Sequence, residues 1–100
     1  MICVPIVGPS MPKAQEQIAS ASAVADILEL RLDLIDAHDL KTLLGWASLP
    51  VIVTNRSKHD GGQFKGSDEE RLKPLREALS SGVDYVDIEK FMGDWYVIAN

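Results

Sequence analysis

No stretch of this chain approaches the roughly 20 consecutive apolar residues that a membrane-spanning helix needs, and its basic residues form no cluster. Ten Lys and Arg, dispersed from Lys13 to Lys90, face fifteen Asp and Glu, for a formal charge of −5. A surface that tracks phosphates is therefore not expected, which sets aside nucleic acid and anionic membrane as partners. There is a single cysteine, Cys3, so no internal disulfide can form. Lying in an apolar run, it reads as a small buried hydrophobe. The opening MICVPIVG has neither a basic stretch nor a long apolar one, so no secretory signal is expected and a reducing cytoplasm is the expected compartment. Phosphate-cradling GxxxxGK[ST] and GxGxxG patterns, a nucleophile elbow and a CxxC pair are all missing. His, Asp and Glu show no ligand spacing either, so neither a cofactor nor a metal is expected.

What is present is enough for one folded core, with 46% hydrophobic and 25% charged residues over 100 positions. Short β-branched runs alternate with helical periodicity. The runs are Ile2 to Val7, Ala25 to Leu34, Val51 to Arg56 and Val83 to Glu89. Between them, a helix is expected from about Pro12 to Ala23, with Ser10 as N-cap. A second should start near Asp39 and present Leu40, Leu43, Leu44 and Ala47. A third should open on the capping box Ser67/Glu70, bury Leu72, Leu75, Ala78 and Leu79, and end at Gly82. Pro74 predicts a kink or a later start. The polar segment Ser57 to Gly66 is long for a connection and reads as functional or mobile. Lys90 to Asn100 are too few for a covering helix and a return strand, which leaves the fourth unit unfinished.

Alternating strands and helices imply parallel strands joined by right-handed crossovers. Four strands suit either a small open doubly wound sheet or part of a closed eight-stranded barrel. The charges favour the barrel. A parallel strand covered on both faces should be almost wholly apolar, yet the second run sets Leu28, Leu30, Leu32 and Leu34 on one face and Glu29, Arg31 and Asp33 on the other. The fourth run repeats this with Tyr85, Asp87 and Glu89, and the third places Thr54 and Arg56 at its end. Such charges must pair, reach water or meet a polar ligand. Four acids against two arginines leave two negative charges for a cation from elsewhere. His38, between Asp36 and Asp39, and His59, in the loop, read as solvated residues without a role.

In order, Ile2-Cys3-Val4-Pro5-Ile6, Ile27-Leu28-Glu29-Leu30-Arg31-Leu32-Asp33, Thr54-Asn55-Arg56-Ser57 with Gly61-Gly62 after it, and Asp84-Tyr85-Val86-Asp87-Ile88-Glu89 resemble type I 3-dehydroquinate dehydratase. The similarity covers essentially the whole chain, and only the N-terminal half of the family's barrel. It implies an α/β fold, the N-terminal half of a TIM (β/α)8 barrel, with four parallel strands and three intervening helices in residues 1–100. It also implies a lyase of the shikimate pathway, serving aromatic amino acid biosynthesis. That enzyme dehydrates 3-dehydroquinate to 3-dehydroshikimate through a lysine Schiff base, with a histidine moving the proton.

By position, the resemblance makes Glu29 and Arg31 binders of the substrate hydroxyls and Arg56 a further substrate contact, with Asp87 and Glu89 in support. Asp60 stands where the family commonly has Glu before the glycine pair, one methylene shorter. Pro5 stands where some relatives have a substrate-contacting serine. The family's histidine and lysine are expected beyond Asn100, and neither His38, His59 nor any lysine here matches them, so no catalytic residue is assigned within 1–100. A homodimer is one expected assembly. The alternative is a non-catalytic half-barrel module that pairs through open edges of its first and fourth strands.

Overall fold

The computed structural model describes residues 1–89 and 95–99, with Asp60, Ile88, Glu89 and 95–99 described through their backbone alone. Five strands form one sheet in chain order, β1 (Cys3–Ile6), β2 (Ile27–Arg31), β3 (Val51–Thr54), β4 (Tyr85–Glu89) and β5 (Trp95–Ala99). Strands β1 to β4 run parallel. The helices α1 (Met11–Ala21), α2 (Leu40–Trp46) and α3 (Asp68–Ser80) lie in the three crossovers. Ile6, Leu28, Leu30, Val53 and Val86 are wholly buried, and they share the core with Ala14, Ile18, Leu43, Leu75 and Ala78 from the helices. The leucine face of β2 is therefore the helix-covered face, which leaves the charged face on the opposite, concave side.

Local signals set the element ends. The Ser10 side chain accepts from the Lys13 N–H at the start of α1, and the Asp39 side chain accepts from Thr42 N–H at the start of α2. Ser67 and Glu70 exchange both bonds of the capping box ahead of α3. Gly82, at φ 81°, provides the left-handed residue beyond the Ser81 cap.

Four sequence expectations are corrected. Pro74 neither delays α3 nor stops it, and the helix runs unbroken from Asp68 to Ser80. Strand β2 ends at Arg31, and Leu32–Leu34 form a 3-10 turn, so Asp33 and Leu34 leave the alternation. Cys3 is exposed, because the concave face on which it stands is open. The unfinished fourth unit returns as β5, antiparallel to β4 from Tyr85↔Ala99 to Glu89↔Trp95. The run Trp95-Tyr96-Val97-Ile98 is aromatic and β-branched, a composition that favours a pleated partner over a covering helix. β5 thus occupies the edge of β4 that was expected to be open.

The edge at β1 carries its own device. The Ile27 N–H bonds to Ile2 O, and in a parallel ladder this turns the polar backbone groups of Ile2, Val4 and Ile6 towards β2. Cys3 and Pro5 then present theirs to the free side, where Pro5 has no N–H to offer.

The segment Ser57 to Gly66 is folded against the strand end that precedes it. Lys58–Asp60 form a 3-10 turn, and Ser57 and Phe64 make a bridge. Gly62 N–H donates to Ser57 O at 2.8 Å, and Phe64 N–H to Arg56 O at 3.1 Å. Both glycines of the pair have a physical reason. Gly61 caps the turn at φ 87°. A Cβ on Gly62 would overlap the Arg56 carbonyl. Gly62→Ala is therefore expected to cost about 2 kcal/mol or more, read as a lower urea midpoint, because overpacking forces backbone to move. An unchanged midpoint would show that the loop does not sit so closely on Arg56.

Candidate active site

Register explains why charges from distant parts of the sequence meet. Arg31 pairs with Thr54, and Thr54 with Asp87, so these three form one row across β2, β3 and β4. Pro5, Glu29, Ile52 and Tyr85 form the row before it. Paired residues of a parallel sheet share a face, so the concave side carries two adjoining rows at the C-terminal ends of the strands. Arg56, two residues past Thr54, reaches over the end of the second row. Parallel α/β sheets build their sites at this end.

Three of the sequence-assigned residues come together here. Glu29 accepts a hydrogen bond from the Thr54 hydroxyl at 2.9 Å. Arg56 Nη2 lies 3.9 Å from Asp87 Oδ2. Arg31 stands in the same row, but its Nε and Nη2 donate to the two carboxylate oxygens of Asp33 at 3.0 and 2.8 Å. Two of the four acids are met by arginine, Asp33 by Arg31 and Asp87 by Arg56, which leaves Glu29, bonded to a neutral hydroxyl, and Glu89. The side chains of Asp60 and Glu89 lie outside the described residues. His59 is exposed, in the turn that follows Arg56, and His38 is half-buried.

Electrostatics separate the carboxyls. Burial pushes the Asp33 carboxyl up, but hydrogen bonds from the Arg31 guanidinium and the backbone N–H of Arg56, the charge of Arg31 and the Gln63 N–H outweigh it. The result lies below the ordinary range. Asp87 moves the other way. Its burial raises it, Arg56 only partly opposes this, and the nearby Glu29 adds to the rise. Its Oδ1 is buried without a hydrogen-bond partner among the described residues. The hydrogen bond to Asp33 holds Arg31 above its usual value despite burial, with Asp33, Glu29 and Asp87 contributing by charge. Burial and the charge of Glu29 both raise the Cys3 thiol. Among the described residues, no group of three or more His, Cys, Asp or Glu could hold a metal ion.

Two features behind the site escaped the sequence reading. Thr54 was placed on the right face but not singled out. Asn55 and Arg71 are both buried and clasp each other. The Asn55 amide donates to Arg71 O at 3.1 Å, and Arg71 Nη1 to Asn55 O at 3.3 Å. This ties α3 to the residue just before Arg56. The signal was in the helix stripe, since Arg71 stands four residues before Leu75 and seven before Ala78, the other two residues that α3 buries.

Opposite pKa directions predict opposite pH behaviour for two neutral variants. Asp33 is depressed, so its stabilising contribution is present above the unfolded carboxyl value of about 4 and is lost as pH falls through the folded value. Asp33→Asn should cost about 3 kcal/mol at pH 7, and the deficit should shrink in acid. Asp87 is raised, so its contribution is fully present below the unfolded value and is lost as pH rises through the folded one. Asp87→Asn should then be at least as stable as the parent at pH 7, its advantage vanishing in acid. Urea midpoints from pH 7 down to about 2.5 check both, and equal responses of the two variants would refute the assignment.

Comparison with known proteins identifies the family and the fold. The type I 3-dehydroquinase family profile matches residues 2–97. The chain is 41% identical over 92 residues to a 3-dehydroquinate dehydratase of Methanothermobacter thermautotrophicus, covering 88% of this chain and 41% of that protein. It is 37% identical over 94 residues to the bifunctional 3-dehydroquinate dehydratase/shikimate dehydrogenase, chloroplastic, of Arabidopsis thaliana, covering 89% of this chain and 16% of that one. Among solved structures, the type I 3-dehydroquinate dehydratase of Clostridium difficile with covalent modified comenic acid superimposes with a TM-score of 0.79 at 28% identity, over 91% of this chain and 40% of that one. The enzyme of Geobacillus kaustophilus gives 0.69 at 31% identity, over 88% and 39%. The chain thus spans about two fifths of the single-function relatives it matches. With four parallel strands, three crossover helices and a match over 96 of its residues, the chain belongs to the type I 3-dehydroquinase family.

Proposed function

We propose that this chain supplies the substrate-binding half of a 3-dehydroquinate dehydratase, a shikimate-pathway lyase. The observation that carries this reading is the convergence of Glu29 and Arg56 on the open concave face, with Arg31 in the adjoining row. A carboxylate and guanidinium groups at strand ends suit a small acid bearing several hydroxyls, since Glu29 accepts from a hydroxyl and the arginines donate to oxygen. Thr54 shows the kind of hydroxyl contact that Glu29 makes.

On this reading the reacting groups come from other strands. Elimination of water next to a ketone requires the neighbouring C–H to be acidified, and an iminium formed with a lysine supplies the electron sink. The family resemblance implies that lysine and a proton-moving histidine, and no residue of 1–100 matches either. The remaining negative charge of Glu29 faces the side from which such a lysine would enter. Asp87, held towards its neutral form by burial, supports Arg56 rather than taking part in the chemistry. A cytoplasmic setting fits the exposed, unpaired Cys3 thiol. The edge-paired module finds less support, because β5 covers the edge of β4 and Pro5 removes a donor from the edge of β1.

The test uses the 100-residue chain and a longer product in which it is joined to the remaining strands of a single-function relative. Titration of 3-dehydroquinate into the chain is expected to shift the side-chain resonances of Arg31 and Arg56, and the longer product should be trapped on a lysine by borohydride. Arg56→Ala should weaken substrate use at least about tenfold, the worth of one charge-assisted contact. Full substrate use by Arg56→Ala would overturn the role given to it.

A further inference from the structure

Asp33 has no place in the substrate site as read so far, yet its carboxylate is the most heavily bonded group in the region. Its side chain is 0% exposed. It takes two hydrogen bonds from Arg31, one from the Gln63 N–H at 3.1 Å and one from the backbone N–H of Arg56. These donors come from three separate segments. Arg31 ends β2, Arg56 follows β3, and Gln63 directly follows the Gly61-Gly62 pair. The 3-10 turn over Leu32–Leu34 makes this possible, because it takes Asp33 out of the strand alternation and turns its side chain across to the neighbouring strand end.

We propose that Asp33 is the positioning residue of this site, one carboxylate that sets the guanidinium of Arg31, the backbone that launches Arg56 and the glycine loop as a unit. The inference rests on the proposed substrate-binding role of the two arginines. Arg31 has a long side chain with several free torsions, and unpaired it would sweep the concave face. The bidentate clamp fixes its plane and leaves Nη1 outside the pair. The two backbone bonds fix the spacing between the end of β2 and the end of β3, which is the spacing between the arginines. Other neighbours cannot substitute. Glu29 is engaged by Thr54, and Asp87 faces Arg56 from the far side.

Asp33→Asn keeps the shape and one acceptor oxygen while removing the charge and half of the clamp. In this variant amide hydrogen exchange at Arg56 and Gln63 should quicken by roughly tenfold or more, the scale of a hydrogen bond to a charged group. Leu30 and Val53, inside the β2–β3 ladder, should lose no more protection than the fall in the urea midpoint accounts for. The dissociation constant for 3-dehydroquinate should rise by a similar factor, and most of that rise should vanish when Arg31→Gln is already in place. Loss of protection through the sheet beyond that fall, or unchanged exchange at Arg56 and Gln63, would overturn the positioning role. Where Asp33→Asn fails to fold, Arg31→Gln decides. Protection at Arg56 and Gln63 should survive in it, since Asp33 still holds both, and its loss would transfer the role to Arg31. If the parent chain shows no response to 3-dehydroquinate, the proposed function fails while the exchange measurements still judge Asp33.

Discussion

A carboxylate taken out of water must be met by donors within reach, and the demand is severe because an unmatched buried charge costs several kcal/mol even after relaxation. Asp33 meets that demand with groups from three segments, and much of the local architecture follows from it. Strand β2 has to end at Arg31 so that a tight turn can swing the next carboxylate across to β3. The loop after β3 has to return close enough for the Gln63 N–H to arrive. That return brings Gly62 so near the Arg56 carbonyl that no side chain fits. The glycine pair is thus a consequence of packing around one buried acid.

Parallel register supplies the second constraint. Arg31, Thr54 and Asp87 are far apart in sequence, and they become neighbours because three strands pair with no slip between rows. A slip of one residue would send every charge of a strand into the leucine layer. The wholly buried Leu28, Leu30, Val53 and Val86 on the opposite face make that slip prohibitive. The core therefore fixes where the site groups stand, although none of its residues touches the site.

Legibility in the sequence followed the range of the physics. Strands β1 to β4 and the caps at Ser10, Asp39 and Ser67 rest on local periodicity and short-range hydrogen bonds, and the structure places them within a few residues of the reading. Alternation also placed Glu29, Arg31 and Asp87 on one face. What alternation could not show was partner choice. Asp33 follows Arg31 by two, a spacing that means the same face of a continuing strand, and only the 3-10 turn turns it into a clamp. Arg71 sits on the buried stripe of α3, but an arginine there reads as solvated until Asn55 is known to be opposite. Pro74 was read by a general rule for helix interiors, and α3 accommodates it. Lys90 to Asn100 read as too few for a covering helix and a return strand, and the aromatic, β-branched composition of 95–98 was the clue to β5.

The two edges of the sheet bear on how such a half-barrel stays discrete. An exposed parallel edge offers a ready template for another strand. At one side, β5 covers β4 with an antiparallel ladder on the side of residues 85–89 that faces away from β3. At the other, Pro5 sits where its missing N–H faces outward, and β1 is only four residues long. Pro5 is also the position at which the family resemblance suggests a serine contact in some relatives. Proline at this position has two consequences of different kinds, no hydroxyl on the concave face and no donor at the edge. The second follows from ladder geometry whatever ligand the concave face binds.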